Sequence, residues 1–154
     1  MSAPDTTVPA AVPTQRWVDV RGPRFGAWIT TVVLAVALLL GNGWVVAAQA
    51  VVFAVGAFAG LRFAPYGLLF RRLVAPRLGP VHEREPEAPP RFAQLVGLVF
   101  AVVGAAGYLL GAPVAGAVAT GLALVAALLN AATGFCLGCE LYLTVRRVLP
   151  ARST

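Results

Sequence analysis

Residues 25–61 read FGAWITTVVLAVALLLGNGWVVAAQAVVFAVGAFAGL, and residues 92–139 read FAQLVGLVFAVVGAAGYLLGAPVAGAVATGLALVAALLNAATGFCLGC. Neither stretch holds a formal charge. The first has 37 residues and the second 48. A membrane-spanning helix needs about 20 apolar residues, so each block is too long for one span and suits two. Turn signals divide them at Gly41-Asn-Gly43 and Gly111-Ala-Pro113. The expected fold is an all-α membrane protein: four transmembrane helices, at about 26–41, 44–61, 92–110 and 114–134, plus short interfacial helices. A connector at 62–91 joins the halves. A disordered tail at 1–16 precedes the four-span domain at 17–149, and a short tail at 150–154 follows it.

Composition agrees with this reading. Of 154 residues, 59% are hydrophobic, above the ~45–50% of soluble domains. The net charge is +6, yet nucleic acid is not expected as a partner. The arginines border apolar segments instead of forming a basic face interleaved with aromatics. The expected partner is the lipid bilayer. A cleaved leader is not expected, because apolar sequence begins only near Phe25 and runs on past Ala48 and Ala50. All basic residues are Arg, and Ala, Val and Gly are abundant, which points to a high-GC bacterial genome. Trp17 and Trp28 suit the membrane interface.

Orientation follows from the arginines. Four spans put the N-terminal Arg16, Arg21 and Arg24 on one side with connector arginines 62, 71, 72, 77, 84 and 91. Arg146, Arg147 and Arg152 of the tail join them, and the opposite turns carry none. Arg at the middle of a span costs about 2.5–3.5 kcal/mol, and basic loops stay inside. Both termini are therefore expected in the cytoplasm, with the protein multi-pass in the bacterial inner membrane. Within the connector, Tyr66–Ala75 mixes apolar and basic residues as an interfacial helix does, whereas Glu83–Pro90 is expected to be a solvated loop.

Gly56-X-X-X-Gly60 and Gly107-X-X-X-Gly111 are candidate close helix contacts; the alternative is that glycine is simply common here, at 16 residues. Gln49 and Asn130 are polar residues within spans. Such residues are either functional or, more commonly for an amide, hydrogen-bonded to a neighbouring helix. With Thr120 and Thr133 they are the only candidates for lining a transport path.

The chemically loaded segment is Phe135-Cys-Leu-Gly-Cys-Glu-Leu-Tyr142. Two cysteines are too few for a secreted disulfide framework. A straight helix from Pro113 to Arg146 would be about 50 Å long, against a hydrocarbon core of about 30 Å. Either the helix breaks, for which Gly134 and Gly138 offer a place, or it tilts and projects into the cytoplasm. If a new helix starts near Leu137, Cys136 stands at its N-terminus, where the dipole and free N–H groups favour a thiolate. The candidate catalytic residues are Cys136 as the reactive thiol, Cys139 as the resolving thiol and Glu140 as a proton acceptor. In a reducing cytoplasm the pair is expected to rest as dithiols. Packing cysteines are the next reading. Metal binding is the third, since one Cys-X-X-Cys supplies two ligands where zinc wants four, and His82 reads as a solvated loop residue. No phosphate loop, Ser-His-Asp set or carboxylate pair is present, and no cofactor or metal is expected.

The chain resembles the bacterial membrane family catalogued as domain of unknown function 4395. The resemblance covers roughly residues 17–149. It rests on Val18-Asp-Val-Arg-Gly-Pro-Arg-Phe25, Pro65-Tyr-Gly67, Pro89-Pro-Arg-Phe-Ala-Gln94 and, above all, Phe135–Tyr142. Val20 stands where the family pattern has Pro. The resemblance implies a four-span protein of unassigned activity, loosely associated with thioredoxin-like and rhodanese-like cytoplasmic partners. A homo-oligomer is a further possibility. The leading expectation is a membrane thiol protein exchanging disulfide or persulfide with such a partner. The alternative is a non-enzymatic scaffold or small transport component.

Overall fold

A computed structural model describes residues 15–149. The expected disordered tail, but for its last two residues, lies outside them, as do residues 150–154 with Arg152. Helix α1 spans Arg21–Leu40, with Pro23 in its first turn, where a missing N–H costs nothing. Gly41 closes it in the left-handed region at φ 58°. The Asn42 side chain then accepts from the N–H groups of Trp44 and Val45, at 3.0 and 3.3 Å, and starts α2, Gly43–Ala54. A π turn at Val55–Ala59 continues it. Helix α3 (Pro65–Leu69) runs on through a π turn at Phe70–Val74 and a 3₁₀ turn at Ala75–Arg77. Helices α4 (Ala88–Leu109), α5 (Pro113–Thr133) and α6 (Leu137–Val148) complete the chain.

Helix α4 packs on α2 and on α5, and α1 packs on α5 and α2, closing a four-helix ring; α6 lies against α4. The interior is built from small residues. Ala37, Ala101, Ala105, Ala119 and Ala123 are buried beside Leu34, Val46 and Phe53. The tightest crossing is Gly107 on Gly116: a Cβ at Gly107 would stand 2.4 Å from the Gly116 nitrogen. Val, Leu and Trp side chains point outward, including Leu39, Trp44, Val51, Val99, Val118 and Val125. An apolar exterior around an Ala/Gly interior inverts the soluble pattern and suits lipid contact. Helices α1, α4 and α5 are long and apolar enough to cross a membrane; the apolar helix Gly43–Ala59 is shorter.

In neither candidate glycine pair do both members pack against a neighbouring helix; Gly60 meets the Glu87 carboxylate, 3.0 Å from where a Cβ would stand, and Gly111 meets nothing within 4 Å. Gly56 abuts the Gln94 side chain and Gly107 abuts α5. Gly60 and Gly111 have positive φ (103° and 87°) and serve turns. The buried Gln49 behaves as an interhelical linker. Its amide donates to Thr30 Oγ1 at 3.5 Å, and Tyr66 Oη donates to its Oε1 at 2.7 Å. This ties α1, α2 and α3 together inside the bundle.

The connector departs from the expected solvated loop. Strand β2, Arg84–Pro86, pairs antiparallel with β1, Trp17–Asp19, with Val18 opposite Glu85. Glu87 is buried and accepts the Leu61 N–H at 2.9 Å. Arg91 donates to the Ala57 carbonyl at 2.9 Å and that of Phe58 at 3.2 Å. Arg24 reaches the Ala131 and Ala132 carbonyls at the end of α5, each at 3.4 Å. The physical reason is the helix terminus. Helices α2 and α5 end with orphan carbonyls, and cations from the starts of α4 and α1 satisfy them and oppose the dipole.

Candidate functional site

The site begins where α5 stops. Gly134, at φ 78°, takes a left-handed turn, and its N–H bonds the Asn130 carbonyl at 2.9 Å. Thr133 Oγ1 accepts the Phe135 N–H at 3.2 Å. The chain leaves extended through Cys136 and re-enters a helix at Leu137. The long apolar run therefore breaks at Gly134. Cys136 is the N-cap of α6, and its Sγ accepts the N–H of Cys139 at 3.3 Å.

Gly138 sets the position of this turn. A Cβ there would lie 2.6 Å from Ala93 Cα, so only glycine lets α6 close onto α4 at this distance. Phe92 and Tyr142 extend the contact, with ring centroids 5.7 Å apart. Cys136 and Cys139 are both half-buried. They are joined as a disulfide, with Cα atoms 5.2 Å apart, inside the 4.4–6.8 Å range that bridged pairs occupy. The N-cap conformation of Cys136 turns its sulfur back toward Cys139 and brings the two to disulfide distance. Glu140 sits exposed on the first turn of α6, and its backbone N–H bonds the Cys136 carbonyl at 3.0 Å.

Behind the pair lies a cavity of about 550 Å³, between α1, α4, α5 and the start of α6 and reaching Phe53 of α2. Its walls are mainly apolar, built from Ala, Gly, Leu, Val and Phe. Four uncharged or cationic polar residues line it, Arg24, Thr30, Gln94 and Asn130, and Cys136 and Cys139 form part of the wall. Glu83 and Glu85, from the connector, line it as well. Burial pushes the Glu85 carboxyl above its ordinary range. Glu140 is not among the lining residues. The structure brings together Cys136, Cys139 and Asn130, and leaves Gln49 to its own network. His82 is exposed, and among the described residues no group of three or more His, Cys, Asp or Glu side chains gathers to hold a metal. Thr133 bonds the Leu129 carbonyl at 2.7 Å, and Thr120 is buried against Gly104.

Sequence reasoning missed Arg24, Gln94 and Glu85 as cavity residues. For Gln94 a signal existed: it is an amide at the third position of a charge-free block. For Arg24 and Glu85 there was none, because their place depends on the ribbon and on the α1–α5 crossing.

Fold and site together define an all-α bundle with three helices suited to crossing a membrane and a Cys-X-X-Cys pair on the wall of an internal cavity. The chain belongs to the family described as Domain of unknown function (DUF4395), whose model matches residues 18–147 and so takes in β1, the bundle and the cysteine pair. No curated protein and no solved structure matches it.

Proposed function

We propose that this is a four-span protein of the bacterial inner membrane whose Cys136–Cys139 pair exchanges disulfide or persulfide with a soluble thioredoxin-like or rhodanese-like protein of the cytoplasm. The observation that carries the proposal is the bonded pair itself, with Cys136 Sγ holding the N-cap position of α6. In exchange, a partner thiolate attacks Cys136 Sγ, the S–S bond breaks and the Cys139 thiolate leaves. A second partner thiol then attacks the mixed disulfide, the partner leaves oxidised, and Cys136 and Cys139 remain as thiols. An N–H directed at Cys136 Sγ and the α6 dipole stabilise the thiolate at that position.

The fourth span is α2 with its π turn, Gly43–Ala59. Seventeen residues reach about 25 Å against a core of about 30 Å. Backbone groups at membrane depth must be satisfied from within, which Arg91 and Glu87 do at the short end. Segregation of the arginines at this same end supports the cytoplasmic assignment.

Alkylation of the reduced protein in lipid tests the reading. A thiolate favoured by the helix N-terminus raises the reactive fraction at neutral pH by more than it costs in intrinsic nucleophilicity. Cys136 is expected to react with iodoacetamide a few-fold faster than glutathione at pH 7, and Cys139 no faster. Equal, unaccelerated rates at both would sink the proposal. A scaffold reading is favoured by the Thr30–Gln49–Tyr66 network, which commits a polar intraspan residue to packing. A Cys136→Ser, Cys139→Ser variant that fully complements a deletion strain would support it.

A further inference from the structure

Resting on the thiol-exchange reading, we propose that the cavity behind the cysteine pair is the binding site of a membrane quinone, the electron acceptor that returns Cys136 and Cys139 to the disulfide. The pair forms part of the wall of a cavity within the bundle. An oxidant that reaches the sulfurs from this side must dissolve in lipid and take two electrons with two protons. It must also fit a mainly apolar space of about 550 Å³, within the ~300–1,000 Å³ of small-molecule sites.

The polar side chains narrow the class further. Gln94, Asn130 and Arg24 all carry N–H donors and line the same cavity as the two cysteines, together with Thr30, Glu83 and Glu85. A saturated acyl chain has no use for donors. A planar ring with two carbonyl oxygens does, and the donors hold its oxygens while the sulfurs meet its edge. A place for a tail is present too. A second, apolar cavity lies between the outer faces of α4 and α5, lined by Val99, Val103, Val118 and the Gly111–Ala115 turn. Phe100 and Leu122 line both spaces. An isoprenoid chain leaving the ring past these two side chains would lie in the outer groove, against lipid.

The step balances. Cys136 and Cys139 thiols lose two electrons and two protons and form the S–S bond. The quinone gains both electrons and both protons at its two oxygens and leaves as the quinol. The electrons come from the soluble dithiol partner, whose oxidation reduces the pair.

The test uses the full chain in vesicles of phosphatidylethanolamine and phosphatidylglycerol, reduced and freed of reductant. Decylubiquinone is the probe, because its fully substituted ring offers no position for thiol addition. Free thiols and quinol absorbance are followed together. Expected are two thiols lost per quinol formed, and a rate that saturates with quinone. Ala126→Leu narrows the cavity without touching the sulfurs and should lower the efficiency of oxidation by quinone about tenfold. Oxidation of the same variant by glutathione disulfide should change less than twofold. Asn130→Leu, which removes a donor, is the second variant and should weaken quinone saturation while sparing the glutathione reaction. Ready oxidation by glutathione disulfide with no quinol formed overturns the quinone site and leaves the thiol reading standing. So does a quinone rate that is linear and indifferent to both variants. Failure of both oxidants overturns the thiol reading itself.

Discussion

The bundle uses one packing device at its two ends, with opposite results. At the α4–α5 crossing, Gly107 meets Gly116 and the two backbones touch, a Cβ at Gly107 standing 2.4 Å from the Gly116 nitrogen. At the other end, Gly138 meets Ala93 with equal intimacy, yet there the contact brings a disulfide to the wall of an open space. What differs is the company each glycine keeps. Gly107 lies between Ala106 and Tyr108, and Gly116 between Ala115 and Ala117, with the Tyr108 ring packed against Gly116. Gly138 lies between two cysteines, and the space beside it is lined by Arg24, Gln94 and Asn130 among other residues. Close packing is therefore no guide to function by itself. The polar atoms left facing the gap are the better guide.

The comparison breaks most readily at the closed end. Gly107→Ala forces a Cβ into backbone that cannot rotate away, and overpacking of this kind costs about 1–3 kcal/mol. The full upper figure is expected, seen as a lower midpoint for unfolding in mild detergent. Gly121→Ala is the matched control. Nothing stands within 4 Å of its Cβ, and it should be neutral or stabilise by about 0.5–1 kcal/mol through helix propensity. Equal losses in the two variants would mean that the crossing is not where stability resides.

Gly138→Ala sharpens the other half. The clash falls on a 12-residue end helix, which can tilt away, so the stability loss should stay near the lower limit of about 1 kcal/mol. Its effect should instead appear in chemistry. With the first turn of α6 forced off Ala93 by the added Cβ, the N-cap turn that presents Cys136 Sγ to the Cys139 N–H is distorted, and the accelerated alkylation of Cys136 should fall toward the rate of free cysteine. A large stability loss with unchanged alkylation would show that the glycine serves packing at both ends alike.

Much of this architecture could be read from sequence. Two charge-free blocks, each split by a glycine turn, correspond to the four helices of the ring. An apolar run too long for a bilayer left a break or a tilted, projecting helix open, and the break falls at Gly134, with Gly138 inside α6. What could not be read was pairing at a distance. Glu83–Pro90 has the composition of a loop, and only the presence of Trp17–Asp19 beside it makes a strand of Arg84–Pro86. The arginines were legible as a charge bias but not as caps. Nothing local tells that Arg91 serves the carbonyls of α2 or that Arg24 serves those of α5. The cavity was illegible for the same reason, since its polar wall draws on α1, α4, α5 and the connector at once.

The smallest expected effect concerns that ribbon, which edges the open end and has no counterpart at the closed one. Asp19 accepts from the Arg21 backbone N–H at 3.0 Å and from its guanidinium at 2.8 Å. These bonds hold its carboxyl below the ordinary value of 3.8. Glu85, across the ribbon on β2, is shifted the other way by burial, above 4.5. The signs are opposite. The Asp19 contribution is fully present above its unfolded pKa and is lost as pH falls through the lower folded value. Ionisation of Glu85 opposes folding, so the part of stability tied to its protonated form is present below 4.5 and is lost as pH rises through its folded value. Asp19→Asn should therefore lower the unfolding midpoint by a degree or two, about the scale of an exposed ion pair, at pH 6, and by less as pH falls below 3.8 toward the lowered folded value. Glu85→Gln should raise it slightly at pH 6 and leave it unchanged at pH 4. Paired unfolding curves from pH 3 to pH 7 separate the two. If both substitutions shift the midpoint equally at every pH, the ribbon is held by backbone pairing alone and its charges contribute nothing to the open end.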